Sequence, residues 1–239
     1  MKLSIIIPTY NEERTIEELI RKLLAVPFPV ETELIVVDDG SRDRTFTIEQ
    51  AISRTVGLGR IQTVRNPLRQ GKGASIREGL RHAAGEWIVI QDGDLEYDPA
   101  EIPALLAPLL NGTSAVVYGS RFLRGGHPEG MAWPNLLANR ALTGLTNRWY
   151  GLRLTDMETC YKVLPRAVLG RLNLAAHTFE FEPEVTAKLA RAGVSIQEVP
   201  ISYRARNRSA GKKIGWKDFF IALRTLWRYR RWGGDDRSA

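Results

Sequence analysis

Short apolar runs alternate with helix-period segments along the first half of the chain. The runs occupy residues 3–7, 34–37, 61–64, 87–90 and 115–118, and the helix-period segments occupy 12–25, 43–56, 72–84 and 99–110. Strand–helix alternation of this kind predicts an α/β fold with a mostly parallel central sheet and helices on both faces. The runs are continuously apolar rather than alternating, as expected of strands buried on both sides. Capping residues mark the helix starts: Asn11-Glu12-Glu13, Ser41-Arg42-Asp43, and Asp98-Pro99 with Glu101 close behind.

Beyond residue 120 the pattern changes. A glycine-rich loop, Arg124-Gly125-Gly126-His127-Pro128, precedes a loosely amphipathic helix over 133–150. A short strand over 160–164, a helix over 180–192 and a strand over 194–199 follow. There is no internal repeat and no linker long enough to separate domains. The expected organisation is one α/β unit over 1–212, followed by a basic amphipathic helix and tail over 213–239.

The bulk numbers narrow the class. A chain of 239 residues with 44% hydrophobic and 26% charged residues is an ordinary globular composition with room for one full core. The single cysteine, Cys160, permits no intramolecular disulfide, so a reducing, cytoplasmic setting is expected. Pro8 interrupts the N-terminal apolar run too early for a signal peptide. No apolar run approaches the ~18–20 residues of a membrane-spanning helix.

Charge sharpens the picture once it is located. The formal net charge is +7, yet residues 201–239 alone hold eleven Lys and Arg against three Asp. The tail therefore carries the whole positive excess, which points to an anionic partner. Over 214–231, Trp216, Phe219, Phe220, Leu223, Leu226 and Trp227 share an arc of roughly 120° on a helical projection. Lys217, Arg224, Arg228 and Arg231 gather on one flank of that arc. An aromatic stripe with a basic border is the composition of a helix lying on an anionic membrane surface, and a helix packed on the core has the same stripe. A peripheral position on the cytoplasmic membrane face is expected.

Candidate chemistry collects where the strands end, the edge at which open α/β sheets bind ligands. Gln91-Asp92-Gly93-Asp94-Leu95-Glu96 follows the fourth run. Side chains at i and i+2 of an extended segment point the same way, so Asp92, Asp94 and Glu96 are placed to converge on one divalent cation carrying substrate phosphates. Asp38-Asp39-Gly40-Ser41 closes the second run, and Pro8-Thr9-Tyr10-Asn11-Glu12 the first. Both are suited to a nucleoside, and the former also reads as a simple capped turn.

Gln70-Gly71-Lys72-Gly73 opens a helix, where glycines and Lys72 invite a nucleotide phosphate. It is not a Walker loop, and no G-x-G-x-x-G follows the first run. Gly119-Ser120-Arg121 ends the fifth run, with Arg121 suited to a phosphate or to an ion pair. Thr155-Asp156-Met157-Glu158 offers a general base or an acceptor-positioning acid. Glu180 and Glu182 sit in the first turn of a helix, where the helix dipole already explains acids, and both are also candidates to line the site. Cys160 reads as packing, and His82, His127 and His177 have no zinc-ligand spacing.

Together these residues resemble glycosyltransferase family 2 enzymes of the GT-A fold. The likeness is greatest to the branch of polyprenyl-phosphate (dolichyl-phosphate) mannosyl- and glucosyltransferases. It runs from Ile5-Ile6-Ile7-Pro8-Thr9-Tyr10-Asn11-Glu12 through Val36-Val37-Asp38-Asp39-Gly40-Ser41, Gln91-Asp92-Gly93-Asp94 and Gly119-Ser120-Arg121 to Lys212-Lys213. The resemblance implies that Pro8, Tyr10, Glu12, Val37 and Asp39 hold the base and ribose. It casts Asp92 and Asp94 as a DxD pair, with Asp94 and Glu96 the foremost ligands of Mg²⁺ or Mn²⁺. Glu96 stands where mannosyltransferase relatives often have Gln. Arg121, Arg206, Lys212 and Lys213 would steady the donor diphosphate or the acceptor phosphate. Residues 208–213 depart from the Gly-x-Ser-Lys-like loop of those relatives, many of which continue into transmembrane helices.

The implied reaction is an inverting transfer from a UDP- or GDP-linked sugar to a polyprenyl phosphate. Asp156 would position that acceptor; with a hydroxyl acceptor, Asp156 or Glu158 becomes the base. One rival is a soluble transferase acting on a saccharide or small-molecule hydroxyl. Another is a non-enzymatic basic scaffold for membrane or nucleic acid. The scaffold leaves acids at three strand ends unexplained, and no nucleic-acid partner is expected.

Overall fold

The computed structural model describes residues 1–57, 59–205 and 216–234. Fifteen strands and α-helices are named here in chain order: β1 (Lys2–Thr9), α1 (Ile16–Ala25), β2 (Glu31–Asp38), α2 (Thr45–Val56), β3 (Ile61–Arg65), α3 (Lys72–His82), β4 (Trp87–Ile90), α4 (Ile102–Leu110), β5 (Val116–Ser120), α5 (Trp133–Tyr150), β6 (Lys162–Pro165), α6 (Arg166–Arg171), α7 (Phe181–Arg191), β7 (Ile196–Pro200) and α8 (Trp216–Arg228). The seven strands form one sheet in the order β3-β2-β1-β4-β6-β5-β7.

β3, β2, β1 and β4 run parallel, and β5 pairs parallel with β7. Only β6 runs against its neighbours, β4 and β5. The strand order reverses at β1, which lies between β2 and β4. That reversal opens a crevice beyond the strand C-termini. Pro8-Thr9, Asp38-Asp39 and Gln91-Asp92 all emerge there, because Thr9 pairs with Asp38 and Ile6 with Ile90.

The predicted apolar runs are the core. Ile5, Ile6, Ile7, Val36, Val37, Ile88, Val89 and Ile90 are all fully buried, as continuous apolarity in parallel strands requires. α1 contributes Ile16, Leu19, Ile20 and Leu23, one helical stripe whose burial stabilises by roughly 1.5–3 kcal/mol per side chain.

Several boundaries moved, the first helix starting at Ile16 rather than at residue 12. The fifth strand extends through Ser120, the strand expected over 160–164 begins at Lys162, and the one expected over 194–199 is Ile196–Pro200. The helix expected over 99–110 divides into a 3₁₀ turn, capped by Asp98 accepting from the Ala100 N–H, and α4.

Of the other cap signals, Asp43 accepts from the Thr45 N–H at the start of α2, while the rest serve a different purpose. Asn11 accepts from the Arg42 N–H at 2.9 Å, Ser41 accepts from the Asn11 N–H at 2.9 Å, and Thr45 accepts from the Glu12 N–H at 2.8 Å. Polar groups that look like helix caps thus stitch the loop after β1 to the loop after β2, because tertiary contact offered them better-placed partners.

α8 lies against α7 and α5. Its buried positions are Ala222, Thr225 and Leu226, with Tyr229 just beyond. These centre on an arc rotated by roughly 100° from the aromatic stripe. The stripe is consequently split. Leu226 enters the core, Phe219 and Leu223 are half-buried, and Phe220 and Trp227 stand 57% and 66% exposed. Exposed Arg224, Arg228 and Arg231 border the exposed half. Among the described residues no helix is long and apolar enough to cross a membrane.

Candidate active site

A cavity of about 650 Å³ occupies the crevice and continues to α5 and α8. Pro8, Tyr10, Glu12 and Asp39 line one end, and Lys72, Asp92, Asp94, Glu96 and Arg121 line the middle. Of the predicted site residues, Val37 and Asp156 do not line it. Val37 is a core side chain one position below the sheet edge, and Asp156 lies behind Arg121. Arg206, Lys212 and Lys213 fall outside the described residues.

At the end lined by Pro8 and Tyr10, Asp39 is a clamp. Its Oδ1 accepts from the Gln70 N–H at 2.8 Å and from Asn66 Nδ2 at 3.0 Å, and its Oδ2 accepts from the Gly71 N–H at 2.8 Å. The carboxylate therefore shapes the loop over residues 66–71. From that loop the Arg69 guanidinium lies over the Tyr10 ring at 4.2 Å, a cation–π contact that joins two walls of the pocket. Asp38, fully buried, accepts from the Ser41 N–H and pairs with Arg65. It supports the turn without lining the cavity.

The start of α3 departs from the phosphate cradle expected of it. Its leading amides are already used: Gly73 N–H donates to Thr178 O and Ala74 N–H to His177 O, both at 3.1 Å. Gly71 makes this approach possible. Its φ is +101°, and a Cβ there would lie 2.3 Å from His177 O. Lys72 is drawn inward, bridging Asp92 at 2.8 Å and Glu182 at 2.8 Å. Burial works to lower the Lys72 pKa, but the Asp92 and Glu182 carboxylates outweigh it and hold the ammonium well above its usual value.

The acidic turn is tight, and Leu95 takes a left-handed φ of +60°, a costly conformation for a branched residue. The three carboxylates do not converge as the i, i+2 spacing predicts. Extended geometry ends with β4 at Ile90, so the alternation no longer applies. Asp92 turns to Lys72, Asp94 Oδ1 accepts from the Glu96 N–H at 3.3 Å, and Glu96 accepts from Tyr203 OH at 2.7 Å. Among the described residues no group of three or more His, Cys, Asp or Glu is disposed to hold a metal ion. Asp94 and Glu96 are nonetheless hard oxygen donors on the cavity wall. A Mg²⁺-type ion commonly takes one or two carboxylates and completes its shell with substrate phosphates, so the donor set fits such an ion.

The segment after β7 closes over this turn. Arg204 N–H donates to Glu96 O, and the Tyr203 ring sits 5.3 Å from Tyr97 and 5.1 Å from the Arg121 guanidinium. Arg121 is itself held from behind. Asp156 accepts from its Nε and its Nη2, each at 2.7 Å, and from its backbone N–H at 3.0 Å. Burial opposes the guanidinium charge and the Asp156 carboxylate more than restores it, so its pKa stands well above normal. Asp156 is fixed in turn by Glu198, which accepts from the Asp156 and Thr155 N–H groups.

Glu158 lies on the same wall. Burial, reinforced by the charge of Glu182, pushes its carboxyl up to about 7. Cys160 is buried, with its thiol pushed well above the usual range by burial, and it packs against β4 through a 3.4 Å contact to Ile90 O.

The far end of the cavity is largely apolar, with Asn135, Asn139 and Asp218 interspersed. Met131, Pro134, Ala138 and Leu142 face Phe219, Phe220 and Ala222 across it. α5 also exposes Trp133 and Leu137. Sequence reasoning missed the Lys72–Glu182 link, the Tyr203–Glu96 contact and the role of Glu198. Each joins residues more than 40 positions apart, and no local pattern marks such a pair.

Comparison with known proteins places this geometry. Residues 4–172 match the family model for glycosyl transferase family 2. A dolichol-phosphate mannosyltransferase of Pyrococcus furiosus is 30% identical over 98% of this chain and 65% of its own length. A dodecaprenyl-phosphate galacturonate synthase of Rhizobium johnstonii is 27% identical over 89% and 62%. The chain thus spans just under two thirds of these curated relatives. Among solved structures, the glucosyl-3-phosphoglycerate synthase of Mycobacterium tuberculosis, in complex with Mn²⁺, UDP-glucose and phosphoglyceric acid, shares the fold. It superposes with a TM-score of 0.72 at 23% identity, over 99% of this chain and 81% of that one.

Proposed function

Because this chain belongs to glycosyl transferase family 2, we propose that it transfers a sugar, with inversion, from a UDP- or GDP-linked donor to a polyprenyl phosphate at a membrane surface. One observation carries the reading. A single cavity runs from an end lined by Pro8, Tyr10 and Asp39, past the acidic turn, to a largely apolar wall made by α5 and α8. A nucleotide sugar and a lipid phosphate need those three environments in that order. Relatives named for dolichol and dodecaprenyl phosphates support the acceptor class.

The donor's base and ribose would lie against Pro8, Tyr10, Glu12 and the Asp39-clamped loop. Asp94 and Glu96 would hold Mg²⁺ or Mn²⁺, which, when bound, supplies Lewis-acid neutralisation of the leaving nucleoside diphosphate. The acceptor phosphate oxygen forms a bond to the anomeric carbon as the bond from that carbon to the β-phosphate oxygen breaks, and the electron pair leaves with the diphosphate. A lipid monophosphate is largely ionised near neutral pH, so the chain need not supply a base. Asp156, both of whose oxygens serve Arg121, then acts by aiming that guanidinium at a phosphate. The exposed aromatic edges of α5 and α8, bordered by arginines, would lie in an anionic lipid surface.

The test incubates the protein with labelled UDP- and GDP-sugars and Mn²⁺, with and without polyprenyl phosphate. Label is expected in the organic phase only when the lipid is present. Label entering a water-soluble product without lipid would establish the hydroxyl-acceptor reading instead.

A further inference from the structure

Glu158 carries chemistry that the transfer mechanism leaves unused. It lines the cavity beside Glu182, yet its Oε1 is shut off from solvent and has no hydrogen-bond partner among the described residues. An acceptor oxygen left in that state carries an unrepaid desolvation penalty. The terminal torsion of a glutamate is broad, so a modest swing brings the carboxylate onto a ligand that offers hydroxyl donors.

The cations around it are already committed. Arg121 is held bidentately by Asp156. Lys72 bridges Asp92 and Glu182. Lys162, fully buried, donates to the carbonyl oxygens of Met157 and Thr159, and burial pushes its pKa down to about 8. Among the described residues, this wall therefore presents Asp92, Glu182 and Glu158, and its cations are already paired. It also adjoins the acidic turn, where the diphosphate of a nucleotide sugar would end and its hexose begin.

We propose that Glu158, backed by Glu182, is the specificity-determining residue of the sugar subsite, reading hexose hydroxyls and admitting uncharged sugars while rejecting uronic acids. This rests on the nucleotide-sugar reading of the cavity. A hydroxyl donates to the open carboxylate oxygen. A uronate would add another carboxylate to a wall of low dielectric, where like charges a few ångströms apart repel strongly.

The test measures binding of matched pairs to the full chain with Mn²⁺: UDP-glucose against UDP-glucuronate, UDP-galactose against UDP-galacturonate, and GDP-mannose against GDP-mannuronate. UDP and GDP alone are included. With the nucleotide that binds, the neutral sugar is expected to bind at least about tenfold more tightly than its uronate. Glu158→Gln should narrow that ratio at least about threefold while leaving the affinity for the bare nucleotide within about twofold. A uronate that binds as tightly as its neutral partner overturns the proposal, and this comparison needs only the wild-type chain. A ratio unmoved by Glu158→Gln, in a variant with a wild-type melt, removes Glu158 as its source. If neither UDP nor GDP binds, the nucleotide-sugar reading itself fails; if a nucleotide binds and the ratio is flat, only the assignment of Glu158 does.

Discussion

Replacing Asp156 by Asn separates a positioning acid from a base. In the wild type the Asp156 side chain is fully buried and that of Arg121 only 6% exposed, so neither charge has water to fall back on. Asp156→Asn keeps the shape but removes the charge, and it sets an amide NH₂ against a guanidinium that can only donate. Leaving one member of a buried pair uncompensated costs about 3–5 kcal/mol. At about 2–4 °C per kcal/mol for a domain of this size, the melting temperature should fall by roughly 6–20 °C. Urea and thermal unfolding measure that loss, and steady-state kinetics with the accepted donor and acceptor measure the rate. The double variant Arg121→Met/Asp156→Leu should recover most of the stability, since apolar pairs commonly replace buried ion pairs at little cost, while activity stays lost with the guanidinium. If Asp156 acted as a base, Asp156→Asn would melt within about 1 °C of the wild type and lose only rate, together with the acidic limb of the pH profile. That result would refute the positioning role.

Gly71→Ala should destabilise by at least about 2 kcal/mol and weaken nucleotide binding, because its Cβ would meet His177 O. Gly57→Ala is the control: its φ is also positive, at +97°, but nothing lies within 4 Å, so a loss equal to that of Gly71→Ala in urea unfolding would refute the clash. Glu49 is fully buried on α2, accepts from Thr9 OH at 2.7 Å, and has its carboxyl pushed up to about 8, first by burial and also by the Asp38 charge. Its folded pKa exceeds its ordinary 4.5, so its contribution is fully present below that value and is lost as pH rises through about 8. Unfolding free energy should drop by roughly 2–3 kcal/mol between pH 6 and 8 from this group, and Glu49→Gln should flatten the profile; parallel profiles would show that Glu49 is not the source. Replacing Trp133, Phe220 and Trp227 with Ala should cut co-sedimentation with phosphatidylglycerol-containing vesicles at least about tenfold without unfolding α8, whose Leu226 still faces the core. Undiminished sedimentation would place the membrane contact elsewhere.

Much of the site was legible because strand ends are local events. Asp39, Asp92 and Asp94 each follow a continuous apolar run, and runs of that kind in a parallel sheet deliver their next residues to one edge. What each carboxylate does there was not legible. Asp39 and Asp92 look equally available in the sequence, yet one clamps a loop through Gln70, Gly71 and Asn66 and the other is bound by Lys72. The i, i+2 argument for three converging acids failed because the chain leaves extended geometry before Asp92. The helix start at Lys72 misled for a related reason, since carbonyls of His177 and Thr178 reached its amides first.

The sequence by itself determined the element order, the parallel character of the sheet and the edge at which polar residues collect. Those follow from periodicity and burial, which act over a few residues at a time. Only the tertiary structure decided that β6 runs antiparallel, that Asp156 faces Arg121, that Glu158 keeps an oxygen with no partner among the described residues, and which side of the aromatic stripe on α8 faces outward. Each of those depends on a partner brought in from a distant region of the chain, and the same residues in the same order are compatible with several such pairings until packing selects one.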